Sequence, residues 1–134
     1  MKVKEIVRVR DVMRTEIDII DGMTTISDAL IQMKNIENKI LIVDKRHQDD
    51  EYGAVRMSDI AHHVLARDKS PERVNIYEIM TKPAITIDAS MDIRYCARLL
   101  ERLKLSRAPV VDNGKLVGVV SVTGMVLHGV RDRN

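Results

Sequence analysis

Arg107-Ala108-Pro109-Val110-Val111-Asp112-Asn113-Gly114-Lys115-Leu116-Val117-Gly118-Val119-Val120-Ser121 decides how the rest of the chain is read. Two β-branched runs flank Asn113-Gly114. Asn-Gly suits a two-residue type I′ turn, because both central residues must take positive φ. A helical pattern over residues 122–130 follows without a break. The predicted unit is strand, tight turn, strand, helix.

Working outward, the same order occurs upstream. Residues 1–8 alternate Val3, Glu5 and Val7 with Lys and Arg, as an edge strand or an extended arm does. Residues 9–13 read as a short helical turn and 17–20 as a strand. Thr24 or Thr25 starts a helix with Ile26, Ala29, Leu30 and Met33 on one face. Ile40–Val43 is a fully apolar strand, 45–51 a charged loop and 52–55 the next strand. Ser58 or a neighbour caps a helix running to about Ala66. Residues 67–73, with Ser70-Pro71, read as a linker. Then come a helical turn at 76–80, a strand at 85–87, and a helix capped by Ser90 whose apolar face holds Ile93, Cys96, Ala97, Leu100 and Leu103.

The two passes align. Met13 and Met80 stand 67 apart, Asp44 and Asp112 stand 68 apart, and Gly53 and Gly118 stand 65 apart. The second pass therefore gains one residue near the end of its first helix. It loses three in the hairpin, where Asn113-Gly114 replaces the longer loop. The expected organisation is repeat 1 over 1–66 (arm 1–8), a linker over 67–74 and repeat 2 over 75–134. Each α/β unit is too small to cover its own sheet alone.

Composition narrows the function classes. A chain of 134 residues, 45% of them apolar, suffices for one compact domain or two small halves sharing a core. Lys plus Arg (22) nearly cancels Asp plus Glu (20), and a net charge of +2 is no electrostatic footprint for a nucleic-acid binder. There is no Trp or Phe, and three tyrosines are the only aromatics. That removes the stacking platform of single-strand binders. The single cysteine, Cys96, excludes an internal disulfide and fits a reducing compartment. The opening residues lead into charge rather than an apolar signal segment. No apolar run approaches the roughly 18–20 residues of a membrane span. A soluble cytoplasmic protein is expected, with neither nucleic acid nor membrane as partner.

This order of elements, with these residues, resembles a tandem cystathionine-β-synthase (CBS) domain pair, or Bateman module. The resemblance runs from about Val9 to Val130. It is carried by Asp11-Val12-Met13 and Glu78-Ile79-Met80 before each first strand. Ala108-Pro109-Val110-Val111-Asp112 and its weaker partner Ile40-Leu41-Ile42-Val43-Asp44 come next, and Gly53-Ala54-Val55 and Gly118-Val119-Val120 complete it. The resemblance implies an α/β (α+β) fold of two βαββα repeats related by a pseudo-two-fold axis, with a cleft on each side of the shared sheets. Many members bind adenine nucleotides there and regulate a partner, and such pairs usually form homodimers.

The family's nucleotide-reading motif is Gly, two apolar residues, Ser or Thr, two residues, Asp. The hydroxyl binds phosphate and the carboxylate takes the ribose hydroxyls. A carboxylate suits that task because it accepts in a forked geometry, each charge-assisted bond contributing roughly 1.5–3 kcal/mol. Here the motif is split. Repeat 1 reads Gly53-Ala54-Val55-Arg56-Met57-Ser58-Asp59, with Arg56 in place of the hydroxyl. Repeat 2 reads Gly118-Val119-Val120-Ser121-Val122-Thr123-Gly124, with Gly124 in place of the acid.

By the resemblance, Asp59, with Ser58 beside it in the ligand-binding set, faces Lys82, Ala84, Ile85, Leu105 and Ser106, an apolar wall with backbone groups at its edge that suits a purine. Arg56 supplies the missing phosphate contact, and the helix starting near Ser58 aims its amides at the same phosphate. Arg107, just before a cleft-lining strand, and Pro109 complete this favoured site. The weaker second site holds Ser121 and Thr123 facing Met13, Asp18, Glu37 and Asn38, which are polar and partly acidic. Asp59 has a plainer alternative as a helix-start residue placed for the helix dipole, and Arg107 one as a solvated surface side chain.

The remaining chemistry-bearing residues point elsewhere. Arg94, Arg98 and Arg102 fall on one helix face, as a solvated stripe does, or one that meets an acidic partner or a nucleotide tail. His62-His63 point about 100° apart on a helix, which is poor geometry for chelation, and no Cys or His pair, His128 included, has ligand spacing. Cys96 lies on an apolar face, where a thiol packs rather than reacts. The eight methionines read as core filler. A nucleotide hydrolase is disfavoured by the lack of a Walker loop, a carboxylate cluster for Mg²⁺ or a nucleophile–base pair. The expected function is a non-enzymatic sensor that binds AMP, ADP, ATP or a related adenosyl ligand, with no other cofactor and no metal. It would signal to a separate, unidentified regulated protein. The alternative is a ligand-free structural or dimerisation module.

Overall fold

The computed structural model describes residues 5–133. In chain order its elements are α1 (Val9–Val12), β1 (Ile19–Ile20), α2 (Ile26–Gln32), β2 (Ile40–Val43), β3 (Gly53–Arg56), α3 (Met57–Ile60), β4 (Ile87–Asp88), α4 (Ile93–Arg102), β5 (Arg107–Asp112), β6 (Lys115–Ser121) and α5 (Val122–Gly129). The fold is mixed α/β, with two three-stranded sheets, β1-β2-β3 and β4-β5-β6. Two compact units form. One is residues 16–84; the other joins 5–15 to 85–133. The spatial units thus cut the chain differently from the sequence repeat, because each opening segment bonds into the sheet of the other repeat.

In the unit of residues 16–84, β2 pairs parallel with β1 and antiparallel with β3. All four of its side chains are buried, as a strand covered on both faces requires. Thr25 Oγ1 accepts from the Asp28 amide at 3.1 Å and caps α2, which buries Ile26 and Ala29. Leu30, predicted on that face, is exposed. The helix stops at Gln32, and the next amides are taken by Asp18: its carboxylate accepts from Lys34 N at 3.0 Å and Asn35 N at 2.9 Å. Reciprocal bonds between Ala54 and Thr81, 3.0 and 2.9 Å, extend the sheet past β3. The helix predicted from Ser58 to Ala66 is shorter and mixed. α3 has one α-turn, and Ala61–Leu65 widens into a π-turn closed by Ala66 N to Ala61 O at 2.8 Å.

The other unit carries the opening stretch of the sequence analysis, and its hairpin is as read. Asn113 (φ 51) and Gly114 (φ 76) both take positive φ. The ladder closes on Asp112↔Lys115. A register shift at Val110/Val111 leaves Val117 as an extra residue in β6, a bulge the alternation of apolar residues did not announce. Pro109 sits in the central strand opposite Val119. Val119 turns its N–H and C=O away from it, to Arg14, both at 2.9 Å, so the missing proline donor breaks no bond of this ladder.

Residues 5–8 form an arm and not a strand: Val7 O accepts from Ile93 N, and Arg8 alone bridges to Asp92. The predicted residues 1–4 of that arm lie outside the described residues. α4 is capped by Asp92, not Ser90. Asp92 accepts from Arg94 N at 2.9 Å, whereas Ser90 donates from its N–H and Oγ to Asp88 at 2.8 and 2.6 Å. The Arg94 guanidinium and amide hold the Asp92 carboxyl down at about 2. Cys96 and Leu100 of α4 are buried, but Ala97 and Leu103 are exposed. The buried face is narrower than the sequence pattern indicated.

Candidate functional site

The split motif has a structural meaning. Ser/Thr-x-x-acid is the spacing of a capping box, in which the hydroxyl takes the N3 amide and the acid takes the N-cap amide. Each repeat keeps one half of it. Asp59 Oδ2 accepts from the Arg56 amide at 2.9 Å. Ser121 Oγ accepts from the Gly124 amide at 2.9 Å. Each remaining side chain therefore already starts its own helix.

The same motif explains its glycines. A Cβ on Gly118 would stand 2.5 Å from the Arg14 carbonyl oxygen and 2.9 Å from Met13 Sδ. A Cβ on Gly53 would stand 2.8 Å from Met80 Sδ. At both positions the missing side chain lets an opening segment approach the sheet.

Of the first predicted set, residues 16–84 bring Arg56 and Asp59 together. The Arg56 guanidinium lies 3.3 Å (Nη2) and 3.4 Å (Nε) from the carboxylate, and the Asp59 side chain is 13% exposed. Two of its three bonds are long, and a carboxylate has room for about four, so accepting directions remain. Ser58 is exposed on the first turn and does not cap it. Ala84 donates to Tyr52 O at 2.8 Å. Lys82 is not a free cation: its Nζ lies 2.7 Å from Asp50 Oδ2. Sequence reasoning missed Asp50, because the 45–51 loop reads as a solvated charge run. The Arg46 side chain, then Lys82, then the Arg46 amide hold the Asp50 carboxyl far below the usual carboxylate range.

The rest of that set belongs to the other unit. Ile85 is exposed, Leu105 half-buried and Pro109 buried. Ser106 Oγ accepts from Arg107 Nη2 at 3.1 Å and Nε at 3.3 Å. The Ser106 carbonyl accepts from Val122 N at 2.9 Å, and Arg107 pairs with Ser121 across the ladder. Ser106, Arg107 and Ser121 are thus neighbours within one unit.

The second set divides too. Met13 and Ser121 are in the 5–15/85–133 unit, with Thr123 exposed. Asp18 and Asn38 are in residues 16–84, and there both are engaged internally. Asp18 takes the amides after α2, and the buried Asn38 donates from Nδ2 to Glu16 O at 2.8 Å. Glu37 is exposed.

The other candidates also find places. On α4, Arg94 and Arg98 lie over the Tyr95 ring, 5.8 and 5.4 Å from its centroid. His128 Nδ1 and Asp132 Oδ2 form an exposed pair at 2.8 Å. Among the described residues no group of three His, Cys, Asp or Glu is placed to hold a metal, and no helix is long and apolar enough to cross a membrane. Cys96 is fully buried, and burial pushes its thiol up to about 11. At pH 8 about one thiol in a thousand is then thiolate, the reactive form. An aromatic disulfide reagent is expected to label Cys96 slowly in native buffer and at once in denaturant; equal rates would contradict the burial.

The family model for the CBS domain matches residues 9–66 and 76–128. The chain is 31% identical over 107 residues, 78% of its length, to an uncharacterised protein of Methanopyrus kandleri, and spans 55% of that relative. The chain thus covers about half of the curated relatives it matches first. It superposes on the hexameric CBS-CP12 protein of bloom-forming cyanobacteria with a TM-score of 0.88 at 31% identity, over 96% of this chain and 74% of that one. A CBS domain pair crystallised with 5′-methylthioadenosine and S-adenosyl-L-methionine gives 0.77 at 25% identity, over 95% and 99% of the two chains. Each matched segment holds the three strands of one sheet, and by that double match the chain belongs to the CBS domain family.

Proposed function

We propose that this chain is a non-enzymatic regulatory module that binds an adenosyl ligand, AMP, ADP, ATP or a relative of them, and signals its presence to a separate protein. Asp59 carries the reading. It is a carboxylate held in one orientation by the Arg56 amide, mostly buried, with acceptor directions left for a ribose diol. The similarity to a pair crystallised with two adenosyl compounds supports the ligand class. Ligand acts by favouring one arrangement of the module over another, which a partner senses.

Melting in the presence of AMP, ADP, ATP, 5′-methylthioadenosine and S-adenosyl-L-methionine tests this. A ligand at a hundred times its Kd stabilises by about 2.7 kcal/mol, so at least one compound should raise the melting temperature by several degrees. Asp59→Asn keeps an oxygen for the Arg56 amide and loses the charge, so it should weaken that ligand roughly tenfold or more with the cap intact. No shift with any of these compounds at millimolar concentration refutes the proposal.

A second reading is a ligand-free dimerisation module, expected here as a homodimer. It is favoured by the exposed apolar strip Val122, Val126, Leu127 and Val130 on and after α5, a face that a second copy would cover.

A further inference from the structure

The two repeats differ most in one loop. Repeat 2 turns from β5 to β6 through Asn113-Gly114, whereas repeat 1 takes residues 44–52 to pass from β2 to β3. The longer loop delivers Asp50. Its Oδ2 accepts from Lys82 Nζ at 2.7 Å, Arg46 N at 2.9 Å and Arg46 Nε at 3.0 Å. The Asp50 side chain is 8% exposed and that of Lys82 21%. The loop is fastened on both sides of this contact: Ala84 donates to Tyr52 O, and Lys45 Nζ lies 4.9 Å from the centre of the Tyr52 ring. Arg56, which stands where the motif calls for a phosphate-binding hydroxyl, is held in turn by Asp59. The two cations of the predicted site that lie in residues 16–84, Arg56 and Lys82, are therefore already matched by carboxylates of the same unit.

We infer that Asp50 is a specificity-determining residue, acting through Lys82, which turns the module away from phosphate-bearing ligands and toward adenosyl ligands whose 5′ group is neutral or cationic. The inference rests on the adenosyl-binding reading above. A phosphate that takes Lys82 must pull it from Asp50. It then leaves a nearly buried carboxylate with one donor fewer, next to the incoming negative charge. A 5′ group without phosphate leaves the pair untouched. The repulsive element is the carboxylate, and only the longer loop of repeat 1 supplies it.

Calorimetric titration of the whole chain with 5′-methylthioadenosine, AMP and ATP at about 0.15 M salt tests this, since exposed charge effects are screened there and buried ones persist. The wild-type protein should bind 5′-methylthioadenosine at least tenfold more tightly than AMP or ATP. Asp50→Asn should tighten AMP and ATP about tenfold and leave 5′-methylthioadenosine within twofold, a change of ratio that a merely structural role does not produce. Wild-type protein that binds AMP or ATP as tightly as 5′-methylthioadenosine overturns the inference while the adenosyl reading stands. An unchanged ratio in Asp50→Asn overturns it too. Binding of none of the three overturns the inference, and failure of the whole adenosyl panel overturns the broader reading as well. The wild-type order needs no variant, so it decides the matter even if Asp50→Asn does not fold.

Discussion

Replacing Gly118 with alanine is expected to lower the melting temperature by on the order of 10 °C, from a loss of about 3 kcal/mol in a chain of this size. The added Cβ would lie 2.5 Å from the Arg14 carbonyl oxygen, a backbone atom that cannot swing aside as a side chain does. Arg14 is joined to Val119 by two bonds of 2.9 Å. Moving it away costs both, at about 1 kcal/mol each, besides the strain of overpacking. The matched change, Gly53→Ala, meets Met80 Sδ at 2.8 Å, Val43 Cβ at 3.1 Å and the Thr81 carbonyl only at 3.5 Å. The flexible thioether can retreat and Val43 must give by only a fraction of an ångström, so a smaller loss of about 1–2 kcal/mol is expected there. Thermal melts of the two variants side by side decide the point. Equal losses would mean that the close approach of Arg14 to β6 is not what the glycine serves.

The second large effect is Leu100→Ala. Leu100 is fully buried among Val9, Ile87, Cys96, Ala108, Val110, Val120 and Met125, and truncating such a leucine costs roughly 2–5 kcal/mol. Leu103 falls on the same predicted stripe but is 39% exposed. Leu103→Ala should cost less than about 1 kcal/mol, as most exposed substitutions do. Denaturant titration of both variants measures the difference. If Leu103→Ala is as damaging as Leu100→Ala, α4 buries Leu103 as deeply as Leu100.

Those two leucines mark where periodicity stops being informative. An apolar stripe at helical spacing states which side of α4 faces inward, not how far the neighbouring layer reaches along it. The same limit applies to Leu30, which shares a stripe with Ile26 and Ala29 and is exposed. Caps are local and were nearly legible. Thr24-Thr25 narrows the cap of α2 to two residues and the structure uses Thr25, whereas Ser90 gives its N–H and hydroxyl to Asp88 and leaves the Arg94 amide to Asp92. The order in which the strands pair was legible wherever a turn dictates it, as at Asn113-Gly114.

The candidate site was legible in its parts more than in its partnerships. Gly-x-x-Ser/Arg-x-x-Asp/Gly is visible twice in the sequence, and so is its splitting. That each surviving half is engaged as a helix cap follows from the capping-box spacing and is seen in the bonds to Arg56 and Gly124. Asp50 is different. It is 32 residues from Lys82, and no local rule pairs one acid of a charged loop with one lysine before a proline.

Sequence by itself determined the two α/β repeats, the type I′ hairpin, the fully apolar central strand Ile40–Val43 and the family. All of these rest on contacts between residues close in the chain or on patterns that repeat. Tertiary structure decided which sheet each opening segment joins: residues 5–15 go with that of 85–133, and residues 74–84 with that of 16–65. It alone decided that Lys82 is spoken for by Asp50. Such pairings are chosen by which surfaces remain uncovered after local structure has formed, and that information is distributed over the whole chain rather than written at any one position.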